Sequence, residues 1–225
     1  MNKDHIVTLS GALGKGDCQS IINIFESLKD YHEEGKAGNK VIYESKKCTE
    51  MYFKFYGDKA IHPLPPSEMG YDVLQSMMEK GEQIKLPLYQ KPEIVSAMVK
   101  GLEKYAQQYP FLDMMPATSI EDVFKIQKYN PGECYSALHC EAMGSGLSRV
   151  LAWMFYLNDV TEGGETEFPS QDKKFQPRCG DLLIWPAHFT HPHRGIASKT
   201  QVKYIITGWT SYTELQEVFV DDLKN

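Results

Sequence analysis

Residues 123–141, VFKIQKYNPGECYSALHCE, contain a β-type run, a turn and two side chains that commonly bind metals. The run 123–130 favours a strand, and NPG (130–132) is a strong turn signal. His139 and Glu141 follow, and side chains two positions apart in an extended strand face the same side. We therefore expect both side chains to meet at one point. Two interpretations are open: the pair is one half of a metal site, or it is a hydrogen-bonded pair on a solvent-exposed face.

Short β-type runs of this kind continue towards the C-terminus, and turn residues separate them. Many short strands without intervening helices predict an antiparallel sandwich or barrel. The predicted strands are VFKIQKYN (123–130), RVLAWMFYLN (149–158), ETEF (165–168), DLLIWP (181–186) and QVKYIITGWT (201–210).

The first half of the chain mixes helical and strand-like patterns. Asp17 predicts the N-cap of a helix from Cys18 to Leu28, and Pro92 begins the clearest helical pattern. Residues 7–9 and 41–57 are strand-like. The segment HPLPPSEMGYD (62–72) is a proline-rich loop, for which a lid over the substrate and a static surface loop are both open interpretations.

The composition favours one soluble domain. The chain has 225 residues, 42% of them hydrophobic, and no apolar run reaches the roughly 20 residues of a membrane span. Its N-terminus lacks the apolar stretch of a secretory signal, and its five cysteines form no CxxC pair. We therefore expect free thiols and a cytoplasmic location. The net charge of −6 gives little reason to expect nucleic acid binding.

Three histidines follow the strand DLLIWP, and one of His188, His191 and His193 is expected to complete the metal site. Two histidines and one carboxylate on one face of a metal leave positions open, as in non-haem iron(II) oxygenases. A structural zinc site would instead be closed by a fourth protein ligand. Cys140 is expected to point to the opposite face of its strand, so it is poorly placed for that role.

The region from Tyr129 to Trp209 resembles the catalytic region of prolyl 4-hydroxylase-like, 2-oxoglutarate- and iron(II)-dependent dioxygenases. The shared features are a tyrosine ten residues before the His-x-acid pair, RVLAWMFYLN followed by GGETEF, a Gly-Asp turn, and a histidine ten residues before a basic residue. In this chain the last spacing joins His193 to Lys203, so the resemblance selects His193 as the third ligand.

The resemblance implies a mainly β fold with supporting N-terminal helices, a double-stranded β-helix or jelly roll. Residues 1–225 are then a single dioxygenase domain. Within it, residues 1–115 provide helical support and substrate loops, and residues 120–212 form the catalytic jelly-roll core.

The resemblance also implies the cofactors, which are iron(II), 2-oxoglutarate as co-substrate and O2, with ascorbate as a further expected ligand. Most relatives have aspartate where this chain has Glu141, and the longer glutamate still reaches the iron if the backbone retreats slightly. The expected roles are His139, Glu141 and His193 as catalytic metal ligands, Lys203 and Tyr156 at the distal carboxylate of 2-oxoglutarate, and Tyr129 near its metal-binding end.

The implied reaction couples decarboxylation of 2-oxoglutarate to succinate and CO2 with hydroxylation of a C–H bond. The expected substrate is a prolyl residue in a protein or peptide, and the sequence predicts no oligomeric state. A hydroxylase of a free amino acid or of another side chain, and a non-catalytic cupin-like metal or ligand binder, remain alternatives. A nucleic-acid demethylase is disfavoured by the acidic charge and by Trp209, which stands near the position of a second arginine in those relatives.

Overall fold

The computed structural model describes residues 4–37, 40–41, 44–64 and 88–213. The lid interpretation of loop 62–72 falls outside these residues from position 65 onwards. The described residues form two α-helices and fifteen β-strands. The helices are α1 (Lys15–Ser27) and α2 (Pro92–Gln108); the strands are β1 (Val7–Leu9), β2 (Glu33–Glu34), β3 (Lys36–Ala37), β4 (Lys40–Val41), β5 (Thr49–Tyr56), β6 (Ala60–Pro63), β7 (Tyr89–Gln90), β8 (Thr118–Ile120), β9 (Val123–Tyr129), β10 (Arg149–Tyr156), β11 (Thr166–Phe168), β12 (Lys173–Phe175), β13 (Leu182–Pro186), β14 (Arg194–Gly195) and β15 (Lys203–Tyr212).

A ten-stranded sheet carries most of the strands, in the order β1-β13-β10-β15-β9-β5-β6-β7, with β2 beside β5 and β8 beside β15. Every pairing in it is antiparallel. A second sheet has the order β12-β11-β14, and β3 pairs with β4. This mainly β, antiparallel architecture with two described helices confirms the predicted fold class.

The two faces of the large sheet pack against different partners because side chains alternate along each strand. On β10, Trp153 and Phe155 join the core that includes both helices, whereas Met154 and Tyr156 join a second core with Phe168 of β11. The buried apolar residues of both helices are therefore part of the core. Each large side chain buried in this way contributes about 1.5–3 kcal/mol.

Helix α2 lies close to β13 at Gly101, where a Cβ atom would collide with Leu182 and approach Ile184. Helix α1 begins earlier than predicted, because Gly14 and not Asp17 is its N-cap. The N-cap prediction was therefore wrong. Asp17 lies in the first turn of α1, where a negative charge interacts favourably with the helix dipole.

Strands from both halves of the chain share the large sheet, since β5 pairs with β9 from Thr49 to Lys54. The strand-like run 41–57 forms regular pairing in the main sheet only from Thr49 onwards. The division of the chain into residues 1–115 and 120–212 stays a prediction. Among the described helices, none is long and apolar enough to cross a membrane.

Candidate metal centre

His139 and His193 are brought together by their backbones, although 53 residues separate them in sequence. The amide of His139 donates to the carbonyl of His193 over 3.0 Å, and the amide of His193 donates to the carbonyl of His139 over 2.8 Å. This pairing is an isolated antiparallel bridge and not part of a regular strand. Glu141 is fixed next to it, because its amide donates to the carbonyl of Ala187 over 2.9 Å.

Three side-chain donor atoms converge at this bridge. One ligand atom from each of His139, Glu141 and His193 lies within 4.8 Å of the other two. Oε1 of Glu141 is 3.7 Å from Nε2 of His139 and 3.3 Å from Nε2 of His193. Atoms that each lie about 2.0–2.2 Å from one metal ion have separations of this size. The spacing therefore fits a single cation bound on one face by three protein ligands.

The tautomers of both imidazoles suit a metal. Nδ1 of His139 is 2.8 Å from the carbonyl of Ala137, and Nδ1 of His193 is 3.1 Å from the carbonyl of His191. A carbonyl accepts but does not donate, so each Nδ1 carries the proton. The lone pair of each imidazole is then on Nε2, the atom that faces Glu141.

The ionisation states of the cluster also suit a cation. Burial, together with the neighbouring His193, lowers the pKa of His139 to about 4, so this imidazole is neutral near pH 7. Burial alone would raise the pKa of Glu141. The polar contacts with His193, His139 and Trp209 outweigh it and hold this pKa well below its usual range. One carboxylate and a neutral imidazole are the protonation states that metal binding requires.

The second oxygen of Glu141 is held on the side away from the imidazoles. Nε1 of Trp209 donates to Oε2 over 2.8 Å, and the Arg149 guanidinium lies 3.9 Å from the same oxygen. That guanidinium stacks 3.6 Å from the centre of the Trp209 ring and pairs with Glu121 over 3.1 Å. The carboxylate is therefore oriented so that Oε1 faces the two imidazoles.

The other histidines of this region do not join the cluster. The ring of His191 is occupied on both sides, with Nε2 2.7 Å from the carbonyl of Asp4 and Nδ1 2.9 Å from the hydroxyl of Thr190. His188 is not among the residues that converge. Of the three histidines that the sequence left open, only His193 faces His139 and Glu141 among the described residues.

The cluster lines a cavity of about 940 Å³, and Lys203 lines the same cavity. Lys203 is buried, with 8% of its surface exposed, and its ammonium donates to the carbonyl of Gly164 over 2.8 Å. Burial lowers the pKa of Lys203 to about 8. The structure therefore places a desolvated cation in the cavity that the three ligand atoms share.

Both predicted tyrosines lie beside this lysine. The ring centres of Tyr129 and Tyr156 are 5.7 Å and 5.6 Å from the Lys203 ammonium. Tyr129 pairs directly with Lys203 between β9 and β15. The hydroxyl of Tyr156 donates over 2.8 Å to Thr166, which lines the cavity. Five of the six residues singled out from the sequence thus line one cavity, and the sixth, Tyr156, lies beside Lys203 behind its wall; their roles in binding remain proposals.

Sequence reasoning missed several residues of this site. The ring of Tyr135 stacks on His139 at 3.8 Å between ring centres, and Trp209 donates to Glu141, a contact that the sequence did not predict. Strand alternation could have found Trp209, because it lies six residues after Lys203 and therefore on the same face of β15. No local pattern marks Tyr135, whose position depends on the bridge between Lys46 and Tyr135.

The sequence of the β region matches a known family model. Residues 124–211 match the 2OG-Fe(II) oxygenase superfamily. A putative prolyl 4-hydroxylase of Acanthamoeba polyphaga mimivirus is 27% identical over 113 residues, which cover 42% of this chain and 46% of the relative. Prolyl 4-hydroxylase subunit alpha-1 of Homo sapiens is 29% identical over 77 residues, covering 33% of this chain and 14% of that protein. The chain thus spans less than half the length of these curated relatives.

Solved structures show the same fold over almost the whole chain. The viral collagen prolyl hydroxylase of Paramecium Bursaria Chlorella virus-1 has a TM-score of 0.57 and 17% identity, with 94% of this chain and 98% of the other covered. A Pseudomonas putida prolyl-4-hydroxylase has a TM-score of 0.57 and 12% identity, with 94% and 95% covered. A prolyl hydroxylase from Trichoplax adhaerens, in complex with a hypoxia inducible factor peptide fragment, has a TM-score of 0.57 and 15% identity, with 93% and 84% covered. In sequence over residues 124–211, and in fold over most of its length, the chain is thus similar to prolyl 4-hydroxylase-like proteins of the 2OG-Fe(II) oxygenase superfamily.

Proposed function

We propose that the chain is a 2-oxoglutarate- and iron(II)-dependent dioxygenase that hydroxylates a prolyl residue of a protein or peptide and releases succinate and CO2. The observation that carries the proposal is one cavity lined both by three convergent ligand atoms and by a buried lysine. The relatives named as prolyl hydroxylases support the choice of a prolyl substrate, and the Trichoplax adhaerens structure with a peptide fragment supports a peptide.

In this proposal His139, Glu141 and His193 hold iron(II). They supply one negative charge and two imidazole donors on one side of the ion, which leaves the other side for co-substrate and oxygen. When bound there, iron(II) and 2-oxoglutarate supply the oxidising chemistry with O2. Trp209 and Arg149 fix the second oxygen of Glu141, so this longer side chain offers a single oxygen to the metal.

Lys203 binds the distal carboxylate of 2-oxoglutarate in the proposed complex. An uncompensated carboxylate in a buried cavity is costly, and the desolvated ammonium of Lys203 offsets that cost. Tyr129 and Tyr156 enclose the ammonium, so the ion pair would be shielded from water. The Tyr156 hydroxyl bonds Thr166, which lines the cavity, and in this proposal it also donates to the same carboxylate.

The cavity wall also limits access of water to the reacting carbon. The side chains of Met154, Trp185 and Ile205 form an apolar part of this wall. A dry, shaped wall favours hydroxylation of a positioned substrate over oxidation of the protein itself. The proposal further includes ascorbate as an accessory reductant and a cytoplasmic location, which suits the five cysteines, all free in the described structure.

The proposal is tested with the purified full chain in three steps. Iron(II) and then 2-oxoglutarate are added without oxygen, and the visible charge-transfer band of the complex is recorded. Oxygen and proline-containing peptides are added next, and succinate and peptide mass are measured. The expected result is a saturable band, succinate formation that peptide stimulates, and a peptide heavier by one oxygen atom. A charge-transfer band without succinate formation would reject the enzyme proposal and favour a cupin-like binder. Succinate formation without any peptide that gains an oxygen atom would reject the prolyl substrate.

A further inference from the structure

A second charged cluster lines the same cavity and has no part in the chemistry proposed above. Its centre is Glu50 on β5, a carboxylate that is fully buried. Glu50 accepts hydrogen bonds from Lys46 over 2.6 Å, from Gln127 over 2.8 Å and from Lys125 over 3.2 Å. We call Lys46, Glu50, Lys125 and Gln127 the Glu50 cluster.

The Glu50 cluster carries one net positive charge. Burial alone would raise the pKa of Glu50, but the charges of Lys46 and Lys125 and the bonds from Lys46 and Gln127 lower it to about 2. Glu50 is therefore ionised, and it supplies one negative charge against two ammonium groups. The positive charge left over is close to the cavity, because both lysines line its wall.

The two lysines differ in how far their hydrogen bonds are satisfied. The ammonium of Lys46, 3% exposed, also donates to the carbonyl of Lys36 over 2.8 Å, so two of its three protons are used. Lys125 makes one hydrogen bond within the described part of the chain, and its ammonium lies 4.6 Å from the centre of the Tyr52 ring. Lys125 thus retains two donors for a ligand in the cavity.

The other cations of the cavity wall have carboxylates of their own, apart from Lys203, which the proposed function assigns to 2-oxoglutarate. Arg149 pairs with Glu121, and Arg194 pairs with Glu167 over 2.6 Å. Lys36 pairs with Glu33 over 2.9 Å. Iron(II), Glu141, 2-oxoglutarate and Lys203 together would be neutral. The surplus charge at Lys125 therefore has no counterpart in the enzyme or its co-substrate among the described residues.

Lys125 lies on the metal side of the cavity and not at the Lys203 end. It pairs with Thr207 between β9 and β15, whereas Lys203 pairs with Tyr129. Thr207 is two residues before Trp209, the residue that donates to Glu141. Two residues along a strand span roughly 7 Å. A group bound by Lys125 would therefore lie near the substrate carbon that faces the metal.

We propose that Lys125 binds a carboxylate of the substrate, so that the preferred substrate carries an acidic group beside the carbon to be hydroxylated. This inference rests on the proposed function for the identity of the reaction. Glu50, which is itself held by a hydrogen bond from Gln127, holds the lysine in place before the substrate arrives, and this reduces the entropy lost on binding. The carboxylate belongs either to an Asp or Glu side chain of a peptide or to the α-carboxylate of a terminal or free amino acid.

The first experiment uses the wild-type chain with iron(II), 2-oxoglutarate and a peptide library of one proline flanked by randomised positions. Hydroxylated products are sequenced by mass spectrometry, and peptides with free and with amidated C-termini are compared, beside free L-proline. The inference predicts enrichment of Asp or Glu at one flanking position if a side chain is bound. It predicts loss of turnover on amidation, or turnover of free L-proline, if an α-carboxylate is bound.

The second experiment repeats the assay with Lys125→Met, Lys125→Arg and Lys128→Met. Lys128 is the matched control, because it lies on the same strand but pairs with Glu26 on the helix side of the sheet. The preference for the acidic over the neutral substrate should fall roughly tenfold or more in kcat/KM in Lys125→Met. It should persist in Lys125→Arg and Lys128→Met. Binding of the preferred substrate, measured by calorimetry with manganese(II) in place of iron, should weaken in Lys125→Met and stay close to wild type in Lys125→Arg and Lys128→Met.

The possible outcomes separate the two proposals. If hydroxylation occurs with no preference for any carboxylate, or if Lys125→Met keeps the preference, the role of Lys125 is refuted while the dioxygenase proposal stands. If neither the library nor free L-proline is hydroxylated although the charge-transfer band forms, the prolyl substrate is rejected. Should Lys125→Met fail to fold, Lys125→Gln takes its place and should lose the preference, and a preference retained in Lys125→Gln refutes the role of Lys125.

Discussion

Replacing Lys203 by alanine is expected to weaken 2-oxoglutarate binding by about 150-fold. The ammonium of Lys203 is buried and lies between the rings of two tyrosines. Its charged form is destabilised by the protein, since lowering the pKa from its ordinary 10.5 to about 8 corresponds to roughly 3 kcal/mol. An anion placed beside it restores that energy, and removal of the lysine would leave the anion without a partner.

The magnitude follows from these contacts. A charge-assisted hydrogen bond contributes about 1.5–3 kcal/mol, and breaking a buried ion pair costs about 3–5 kcal/mol. A loss of about 3 kcal/mol corresponds to a factor of roughly 150 in the dissociation constant. Lys203→Arg keeps the charge and should lose less, although its planar group needs more width than an ammonium.

The same lysine predicts how binding depends on pH. Below about pH 8 the ammonium of the free protein is charged, so ionisation of this group should not change the binding affinity with pH. Above that pH the lysine loses its proton, while the bound carboxylate favours the charged form and raises its pKa. The dissociation constant should therefore rise about tenfold per pH unit above pH 8 until the pKa of the complex is reached. Lys203→Arg should lack this rise, because arginine stays charged.

The assay is an anaerobic titration of 2-oxoglutarate into the iron(II) protein, followed by the visible charge-transfer band between pH 7 and 9. Lys199→Ala is the control, since Lys199 is exposed at the approach to the same strand. Equal affinity in wild type and Lys203→Ala would refute the assignment of this residue to the distal carboxylate. A wild-type affinity that did not change with pH would refute the lowered pKa as the cause.

Three further predictions concern the metal centre and the fold. His193→Ala should lower iron(II) affinity at least 100-fold in calorimetry, whereas His191→Ala should change it little because both nitrogens of His191 already have partners; the reverse pattern would overturn the ligand assignment. Trp209→Phe should weaken iron(II) binding by about tenfold, because it removes the hydrogen bond to Glu141. Trp153→Phe should leave iron(II) binding unchanged, because Nε1 of Trp153 has no partner among the described residues. Gly180→Ala should lower the free energy of unfolding by about 2–4 kcal/mol, because Gly180 has a φ of +87° and its Cβ would collide with the carbonyl of Leu13. Gly16→Ala, in open space on α1, should be neutral or stabilising. Equal denaturation midpoints for the two variants would contradict this prediction.

Local patterns were sufficient to predict the long strands of the large sheet, and together with the family resemblance they predicted which three side chains converge. The i, i+2 spacing of His139 and Glu141 and the ten-residue offset from His193 to Lys203 are readable in one dimension. The start of α1 was not, because Gly14 and Asp17 are both acceptable N-caps and the helix began at the earlier residue.

The Glu50 cluster could not be predicted for a different reason. Glu50 and Lys125 lie on two strands that are far apart in sequence, and their contact depends on the register between β5 and β9. Each residue alone resembles an ordinary charged position on a solvated strand face. Register between distant strands is set by packing over the whole sheet, and a local pattern does not contain it.

Under the proposed function, strand register also sets which diacid the cavity can accept. Strands β9 and β15 present the cavity residues on one face and the helix-packed core on the other. One inserted residue between Lys203 and Trp209 would turn one end of the site into the core. Two inserted residues would keep the face but separate the lysine from the metal centre by roughly 7 Å more, beyond the reach of a five-carbon diacid. Substitutions at other cavity positions would therefore leave the length of the co-substrate unchanged, whereas an insertion in β15 would select a co-substrate of different length.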